Sequence, residues 1–303
     1  MNILDEIKDA FASLQKGQSR YIEECDARTF MFMDGSYGVG IRFEKEQKVA
    51  EDFANVKFYT TELELGDEQQ KFLLLTSSLI GLRNEFASVC ADFIDLGLQD
   101  VNRQMILEDP FTWWMSWREL LGNAVKNPLV HSILGEMFSV KHLAQEGTHV
   151  KWKPTDFSTH DLESDTVAYE VKSTTSKYQQ IISVNSQFQI TSARDDMHLI
   201  LCRFEKSPLG VSVDMLIEDL ITIGYDRGEL DREVEAVGFA EGSLARSEKY
   251  KLLEMRKYPV DDKFPGQEVM EFIKSLDDPS VKSLTFEVDL TNTDYEKVNV
   301  DLL

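Results

Sequence analysis

The sequence lacks several features that would place it in a familiar class. It has only three cysteines, Cys25, Cys90 and Cys202, with no CxxC pair and no zinc-ligand spacing. We expect them to be reduced, structural residues of a cytoplasmic protein. No apolar run approaches the roughly 18 residues of a membrane span, and the acidic, amphipathic start is not typical of a signal peptide. These absences predict a soluble, cytoplasmic chain with no membrane partner.

Positive charge is also scarce, because 54 Asp and Glu residues stand against 32 Lys and Arg, giving a formal net charge of -22. Such a charge repels nucleic acid at long range. A function on nucleic acid would therefore need a local basic surface, a divalent metal or a partner subunit. The sequence contains no Walker loop, no HExxH and no GxSxG. The glycine-rich stretch 34–40 precedes a strand instead of a helix, which predicts a hairpin turn.

The 303 residues show no internal repeat and no low-complexity linker. β-Branched and aromatic residues predict strands at 28–34, 37–44, 56–65 and 71–77. Helices and strands alternate in the middle of the chain, and the tail combines amphipathic helices with strands. We predict a mixed α/β (α+β) fold in three parts. They are a β-rich N-terminal region with a closing helix (1–105), a core (106–205) and an α+β C-terminal extension (206–303).

The stretch HDLESDTVAYEVKST, residues 160–174, contains the candidate catalytic residues. Glu170 and Lys172 are two apart, so they share one face of a strand. A turn near Asp165 would set Asp161 directly opposite Glu170. Opposed like charges destabilise a sheet unless a cation lies between them, and Mg²⁺ favours one or two carboxylates with phosphate oxygens and water. The alternative is a solvated strand face with an ordinary Glu–Lys pair.

This arrangement has the parts that phosphodiester hydrolysis needs. A bound Mg²⁺ or Mn²⁺ would polarise the phosphoryl oxygen and lower the pKa of a bound water. Lys172 would position the nucleophile and stabilise charge on the phosphorus.

Asp161 followed by Glu170-Val-Lys172 resembles the motif of the PD-(D/E)XK nuclease superfamily, which includes many restriction and repair nucleases. His160 stands where the motif's name has proline. Longer segments resemble a poorly characterised bacterial branch associated with restriction and phage-defence gene clusters. These segments are the stretches 113–123, 134–136, 160–161, 170–174 and 182–187.

The resemblance implies a restriction-endonuclease-like central sheet flanked by helices, acting on DNA with Mg²⁺ or Mn²⁺. It implies Asp161, Glu170, the Val171 carbonyl and Glu136 as metal ligands. Lys172 would orient the water, and Gln187 would contact the phosphate or fix the lysine. Ser173, Lys177 and Lys153 are the candidate substrate contacts.

Several of these residues have a plain structural alternative. Glu136 would also suit a helix surface, Gln187 would also suit a helix cap, and the lysines would also arise from ordinary scatter. Three tryptophans at positions 113, 114 and 117 are expected to pack against the nuclease sheet rather than stack on bases.

The function that the sequence favours is a metal-dependent endonuclease in a restriction or phage-defence system. Its expected partners are DNA and other subunits of a defence complex, such as an ATPase or a methyltransferase, and self-association is left open. The alternative is a non-catalytic structural or DNA-sensing subunit, which the net charge favours. A third interpretation is an acidic DNA mimic.

Overall fold

The computed structural model divides the chain into two compact units. The first consists of residues 1–127 with 240–244, and the second of 128–239 with 245–303. The three-part division made from sequence stays a prediction beside these units. The structure describes residues 2–53, 55–66, 68–121 (without the side chains of 118–121), 129–152, 154, 160–184, 196–269 and 285–303. Among them, no helix combines the length and apolar character needed to cross a membrane.

The first unit is built on an antiparallel sheet in the order β1-β2-β3-β6-β5-β4. Its strands are β1 (Gln18–Ile22), β2 (Ala27–Met31), β3 (Tyr37–Arg42), β4 (Ala50–Phe53), β5 (Val56–Leu65) and β6 (Glu68–Ser77). The four strands predicted from sequence are the four central ones. The two edge strands escaped prediction because they are short and largely polar. Gly35, with φ +90°, turns the chain between β2 and β3, which confirms the predicted hairpin.

Helices cover one face of this sheet. They are α1 (Ile3–Ser13), α2 (Arg83–Ile94), α3 (Val101–Glu108) and α4 (Pro110–Leu121), with short 3₁₀ helices at Glu23–Cys25, Ile80–Leu82 and Leu98–Asp100. Trp114 is fully buried and stacks on Phe58, with ring centroids 5.3 Å apart. Trp113 and Trp117 both donate their indole N–H to Asp92 Oδ2, at 3.0 and 2.9 Å. The expectation that these tryptophans pack on the nuclease sheet is therefore wrong, because they belong to the first unit.

The second unit is built on a mixed sheet in the order β14-β12-β11-β9-β8-β7, in which β9 and β11 run parallel and the other neighbours antiparallel. Its strands are β7 (Lys151–Trp152), β8 (Leu162–Glu163), β9 (Val167–Thr174), β10 (Ile181–Val184), β11 (Asp196–Val211), β12 (Tyr250–Pro259), β13 (Phe286–Asp289) and β14 (Glu296–Val298). Its helices are α5 (Val130–Gln145), α6 (Val213–Thr222), α7 (Arg227–Ala236) and α8 (Leu244–Ser247), with a 3₁₀ turn at Val300–Leu302. β10 and β13 pair separately.

Both faces of the central strands are buried. On one face, Leu134 and Met137 of α5 join Tyr169 and Val171 of β9 in a single apolar cluster. The other face presents residues of β11 and β12 to the small β10–β13 sheet, in the cluster Ile182, Val184, Leu199, Leu201, Tyr258, Phe264, Val288 and Leu290. A parallel strand pair covered on two sides agrees with the predicted α/β class.

Candidate active site

The turn between β8 and β9 sets the register on which the candidate site depends. Leu162 lies opposite Tyr169, and Glu163 opposite Ala168. The paired ladder ends at Leu162, and its register continued by one residue would set Asp161 opposite Glu170, which stays a prediction. The backbone N–H of Val171 donates to Asp161 Oδ2 at 2.7 Å, so a backbone hydrogen bond holds this carboxylate just before β8 begins.

Glu170 is deeply buried, with 2% of its surface exposed. It shares a strand face with Lys172 two residues later, and Lys172 Nζ lies 2.7 Å from Glu170 Oε1. The Lys172 side chain remains 18% exposed. Lys172, the positive residue of the predicted catalytic set, is therefore bound to one carboxylate while its side chain keeps some access to solvent.

Helix α5 carries a third carboxylate, Glu136, whose ionisation is affected by the charge of Asp161. The residue before it is Gly135, where an added Cβ would lie 2.0 Å from Ser173 Oγ on β9. Glycine thus permits a close approach between this helix and the catalytic strand. Glu136 Oε2 accepts a hydrogen bond from Trp152 Nε1 at 2.9 Å.

Burial and mutual repulsion raise the pKa of these carboxyl groups. The pKa of Glu170 rises to about 8, chiefly because the group is buried and secondly because Asp161 is near. The same two causes raise the pKa of Glu136 to about 8, against an opposing hydrogen bond from Trp152. Burial also raises the pKa of Asp161, although the Val171 N–H and Lys172 oppose it. The site therefore holds more carboxyl groups than Lys172 alone neutralises, and Glu136 and Glu170 retain protons into the neutral range.

A divalent cation would offset this excess of carboxyl groups over positive charge. Asp161 and Glu170 supply hard oxygen donors, and Mg²⁺ commonly takes only one or two carboxylates from a protein. Within the described ranges there is no cluster of three or more His, Cys, Asp or Glu side chains already arranged for a metal. Glu136 and the Val171 carbonyl as further ligands therefore stay predictions.

The residues predicted to contact the substrate are placed less favourably for that role than Asp161, Glu170 and Lys172 are for theirs. The Ser173 hydroxyl oxygen is buried beside Gly135 and has no hydrogen-bond partner in the described part of the chain. Its side chain alternates to the strand face opposite Glu170 and Lys172. Lys177 is exposed, with Nζ 5.6 Å from the ring centroid of Tyr178. Gln187 and Lys153 lie outside the described residues.

Two residues near the site were missed by the sequence reasoning. Trp152 holds Glu136, and Arg203 of β11 donates to the carbonyl oxygens of Ser176 and Lys177, that of Ser176 at 3.0 Å. A buried indole N–H needs an acceptor, which marked Trp152 as a residue with a polar partner. The identity of that partner, Glu136, depends on a contact between residues 16 positions apart, which no spacing rule predicts.

A buried mixed sheet whose central strand β9 carries Glu170 and Lys172, with Asp161 bonded to the Val171 N–H between them, is the arrangement of a PD-(D/E)XK-type protein. A family model described as "Putative PD-(D/E)XK family member, (DUF4420)" matches residues 17–291. The chain belongs to this family, which confirms the resemblance drawn from its motifs. A search of curated proteins and a search of solved structures found no match.

Proposed function

We propose that this protein is a metal-dependent endonuclease that hydrolyses DNA phosphodiester bonds in a restriction or phage-defence system. The observation that carries the proposal is a pair of contacts on β9: the Val171 N–H donates to Asp161 Oδ2 at 2.7 Å, and Lys172 Nζ lies 2.7 Å from Glu170 Oε1. Membership of the PD-(D/E)XK-type family supports the same chemistry. The expected partners are DNA and further subunits of a defence complex.

Each group at the site has a role in this reaction. Asp161 and Glu170 would hold Mg²⁺ or Mn²⁺, which supplies a polarised phosphoryl oxygen and a more acidic bound water. The Val171 N–H keeps Asp161 in place. Lys172 donates to the developing negative charge on the phosphate. Glu136 would support a metal-bound water.

A DNA-cleavage assay tests this proposal. Purified protein is incubated with plasmid DNA and Mg²⁺ or Mn²⁺, beside Lys172→Ala and the control Lys251→Ala, an exposed lysine on β12. Loss of the Lys172 ammonium should lower the cleavage rate roughly 100- to 1,000-fold, the usual scale for one stabilising donor, while Lys251→Ala cleaves as wild type. Equal rates for the two variants would refute the assignment.

The net charge of -22 favours a second candidate, a non-catalytic structural or DNA-sensing subunit. Long-range repulsion would keep such a chain from DNA on its own. This candidate predicts that the purified protein fails to cleave DNA with either metal and instead co-purifies with neighbouring subunits, such as an ATPase or a methyltransferase. Metal-dependent cleavage by the purified chain that Lys172→Ala removes would exclude it.

A further inference from the structure

The loop that follows strand β9, residues 175–180, has no role in the chemistry proposed above. Strand β9 ends at Thr174, two residues and about 7 Å beyond Lys172. The loop then runs to β10, which begins at Ile181. It therefore starts close to the lysine that is proposed to act on the phosphate.

The register of β9 against β11 shows which face of the sheet this loop covers. Leu201 lies opposite Lys172, and Arg203 lies opposite Thr174. Paired residues of neighbouring strands share a face, and so do alternate residues along one strand. Arg203 therefore projects from the same face of the sheet as Glu170 and Lys172.

Arg203 fastens the loop over that face. It is 8% exposed, and its guanidinium donates to the carbonyl oxygens of Ser176, at 3.0 Å, and Lys177. Thr174 Oγ1 accepts from the Ser176 N–H at 3.0 Å, and Ser176 Oγ accepts from the Gln179 N–H at 3.3 Å. These hydrogen bonds hold the backbone of the loop in one arrangement beside the candidate site.

The tip of this ordered loop carries an aromatic ring in solvent. Tyr178 is 82% exposed, whereas two other exposed tyrosines, Tyr21 and Tyr295, are 45% and 42% exposed. A ring kept in water contributes little to folding, because it buries little apolar surface. The order of the loop also limits the entropy that is lost when a ligand binds to the ring. Exposure and order together suit Tyr178 to contact a flat ligand.

A nucleobase is the flat ligand that fits beside a phosphodiesterase site. Every base offers a π-face, and its stacking on an aromatic side chain does not need opposite charges. This matters in a chain with a formal net charge of -22, which repels DNA at long range. Bases inside a duplex are already stacked on their neighbours, so the ring would need an unpaired base.

We infer that Tyr178 is a nucleobase-stacking residue, which binds an unpaired base of DNA beside the strand that carries Glu170 and Lys172. The inference rests on the proposed function, because it takes DNA as the ligand of this site. It narrows the substrate class to DNA that is single-stranded or locally opened. Lys177, a substrate contact predicted from the sequence, has its Nζ 5.6 Å from the centroid of this ring.

The test measures the binding of a fluorescein-labelled oligothymidylate of about 15 nucleotides by fluorescence anisotropy. Ca²⁺, which also binds oxygen ligands, replaces Mg²⁺, and electrophoresis checks that the oligonucleotide stays intact. Tyr178→Ala should raise the dissociation constant roughly 5- to 150-fold, the scale of one base–aromatic stack. Tyr178→Phe keeps the ring and should bind as wild type does.

Tyr21→Ala is the matched control, because it removes an exposed tyrosine from the other unit. It should bind the oligothymidylate as wild type does. Circular dichroism of Tyr178→Ala and Tyr21→Ala compares their folding with that of wild type.

Two further measurements separate stacking from other contacts with DNA. Because stacking involves no net charge, the factor lost in Tyr178→Ala should be the same at low and high KCl. A duplex presents no unpaired base, so Tyr178→Ala should bind duplex DNA as wild type does. The inference is overturned if Tyr178→Ala binds the single strand as Tyr21→Ala does, if its loss disappears at high KCl, or if duplex binding falls equally. A wild-type protein that binds no single strand overturns it as well.

The outcomes distinguish this inference from the proposed function. If DNA cleavage depends on Lys172 while Tyr178→Ala keeps wild-type affinity for the single strand, the endonuclease stands and the role of Tyr178 falls. If Tyr178→Ala weakens single-strand binding while the wild-type protein cleaves no DNA with Mg²⁺ or Mn²⁺, base stacking stands and the endonuclease falls.

Discussion

At the residue scale, Glu170 occupies a buried position that disfavours its ionised form. It is 2% exposed and lies near Asp161, and its pKa rises from the ordinary 4.5 to about 8. The folded protein therefore keeps this proton up to about pH 8, whereas the unfolded chain releases it near 4.5. As pH rises between these values, only the unfolded chain releases the proton. The contribution of Glu170 therefore lowers the free energy of unfolding progressively.

Glu170→Gln should remove that pH dependence, since an amide does not ionise. We expect metal-free Glu170→Gln to unfold several degrees above wild type at pH 9 and at nearly the same temperature at pH 4.5. Thermal unfolding followed by circular dichroism at both values measures this. Glu205→Gln, at an exposed position of β11, should leave the wild-type pH dependence unchanged. If Glu170→Gln is less stable than wild type at pH 9, the claim that ionised, buried Glu170 destabilises the folded protein is contradicted.

A substitution at Asp161 can separate the effect of its negative charge from the effect of its hydrogen bond to the Val171 N–H. In Asp161→Asn the amide oxygen can still accept from the Val171 N–H, which spans 2.7 Å in the wild type. We therefore expect a folded variant that has lost a metal ligand. A ligand at 100 times its dissociation constant stabilises a protein by about 2.7 kcal/mol.

The measurement is the rise in unfolding temperature on adding saturating Mn²⁺. Wild type and the exposed control Asp294→Asn should both be stabilised, and Asp161→Asn should not. A full Mn²⁺ response in Asp161→Asn would remove this carboxylate from the metal site.

At the scale of elements, the close approach of α5 to β9 depends on Gly135. An added Cβ would meet Ser173 Oγ at 2.0 Å, whereas the next atoms, Ser173 Cβ and Cys202 Cβ, lie at ordinary distances of 3.4 and 3.5 Å. Only the serine hydroxyl therefore opposes an alanine here. That hydroxyl has no hydrogen-bond partner among the described residues, so removing it should cost little.

Gly135→Ala should destabilise the protein by about 1–3 kcal/mol, the usual cost of overpacking. The same change in a Ser173→Ala background should be neutral or stabilising, because alanine favours a helix over glycine by about 0.8–1.0 kcal/mol. Urea denaturation of the two single variants and the double variant measures both effects. Additive losses would contradict the predicted contact between the two side chains.

The elements that sequence predicted well are those governed by local rules. Strand alternation puts Glu170 and Lys172 on one face of β9, and the short turn sets the register of β8 against β9, because pairing register follows from the turn. The edge strands β1 and β4 escaped, since short polar segments carry no clear periodicity. The contact between Trp152 and Glu136 also escaped, because it depends on how β7 and α5 pack. Gln187 and Lys153 stay predictions, as they lie outside the described residues.

At the scale of the whole molecule, the net charge of -22 opposes the approach of DNA. Tryptophans 113, 114 and 117 show how a sequence segment can be assigned to the wrong part of a molecule. They lie upstream of the nuclease motif, within the segment predicted to form the nuclease core, yet they belong to the first unit. Composition predicted the sign of the overall field, but packing decided which residues share a core.

The overall charge predicts an unusual salt response. Raising KCl from about 10 to 100 mM shortens the Debye length from about 30 to 10 Å. This screens the repulsion, so we expect the second-order rate of DNA cleavage by the purified chain to increase at constant Mg²⁺. Basic DNA-binding proteins show the opposite response. A steep decrease in rate would mean that a local basic surface governs the encounter.

The most direct test of the central claim is the dependence of plasmid cleavage on metal at the two carboxylates. Metal-free protein is supplied with increasing Mn²⁺, and cleavage rates are compared for wild type, Asp161→Asn, Glu170→Gln and the control Asp294→Asn. We predict that wild type and the control are inactive without metal and reach the same maximum rate, while the two site variants stay at least about 100-fold slower. Cleavage that persists without metal, or that either site variant performs at the wild-type rate, would contradict the claim that Asp161 and Glu170 form a metal-dependent nuclease site.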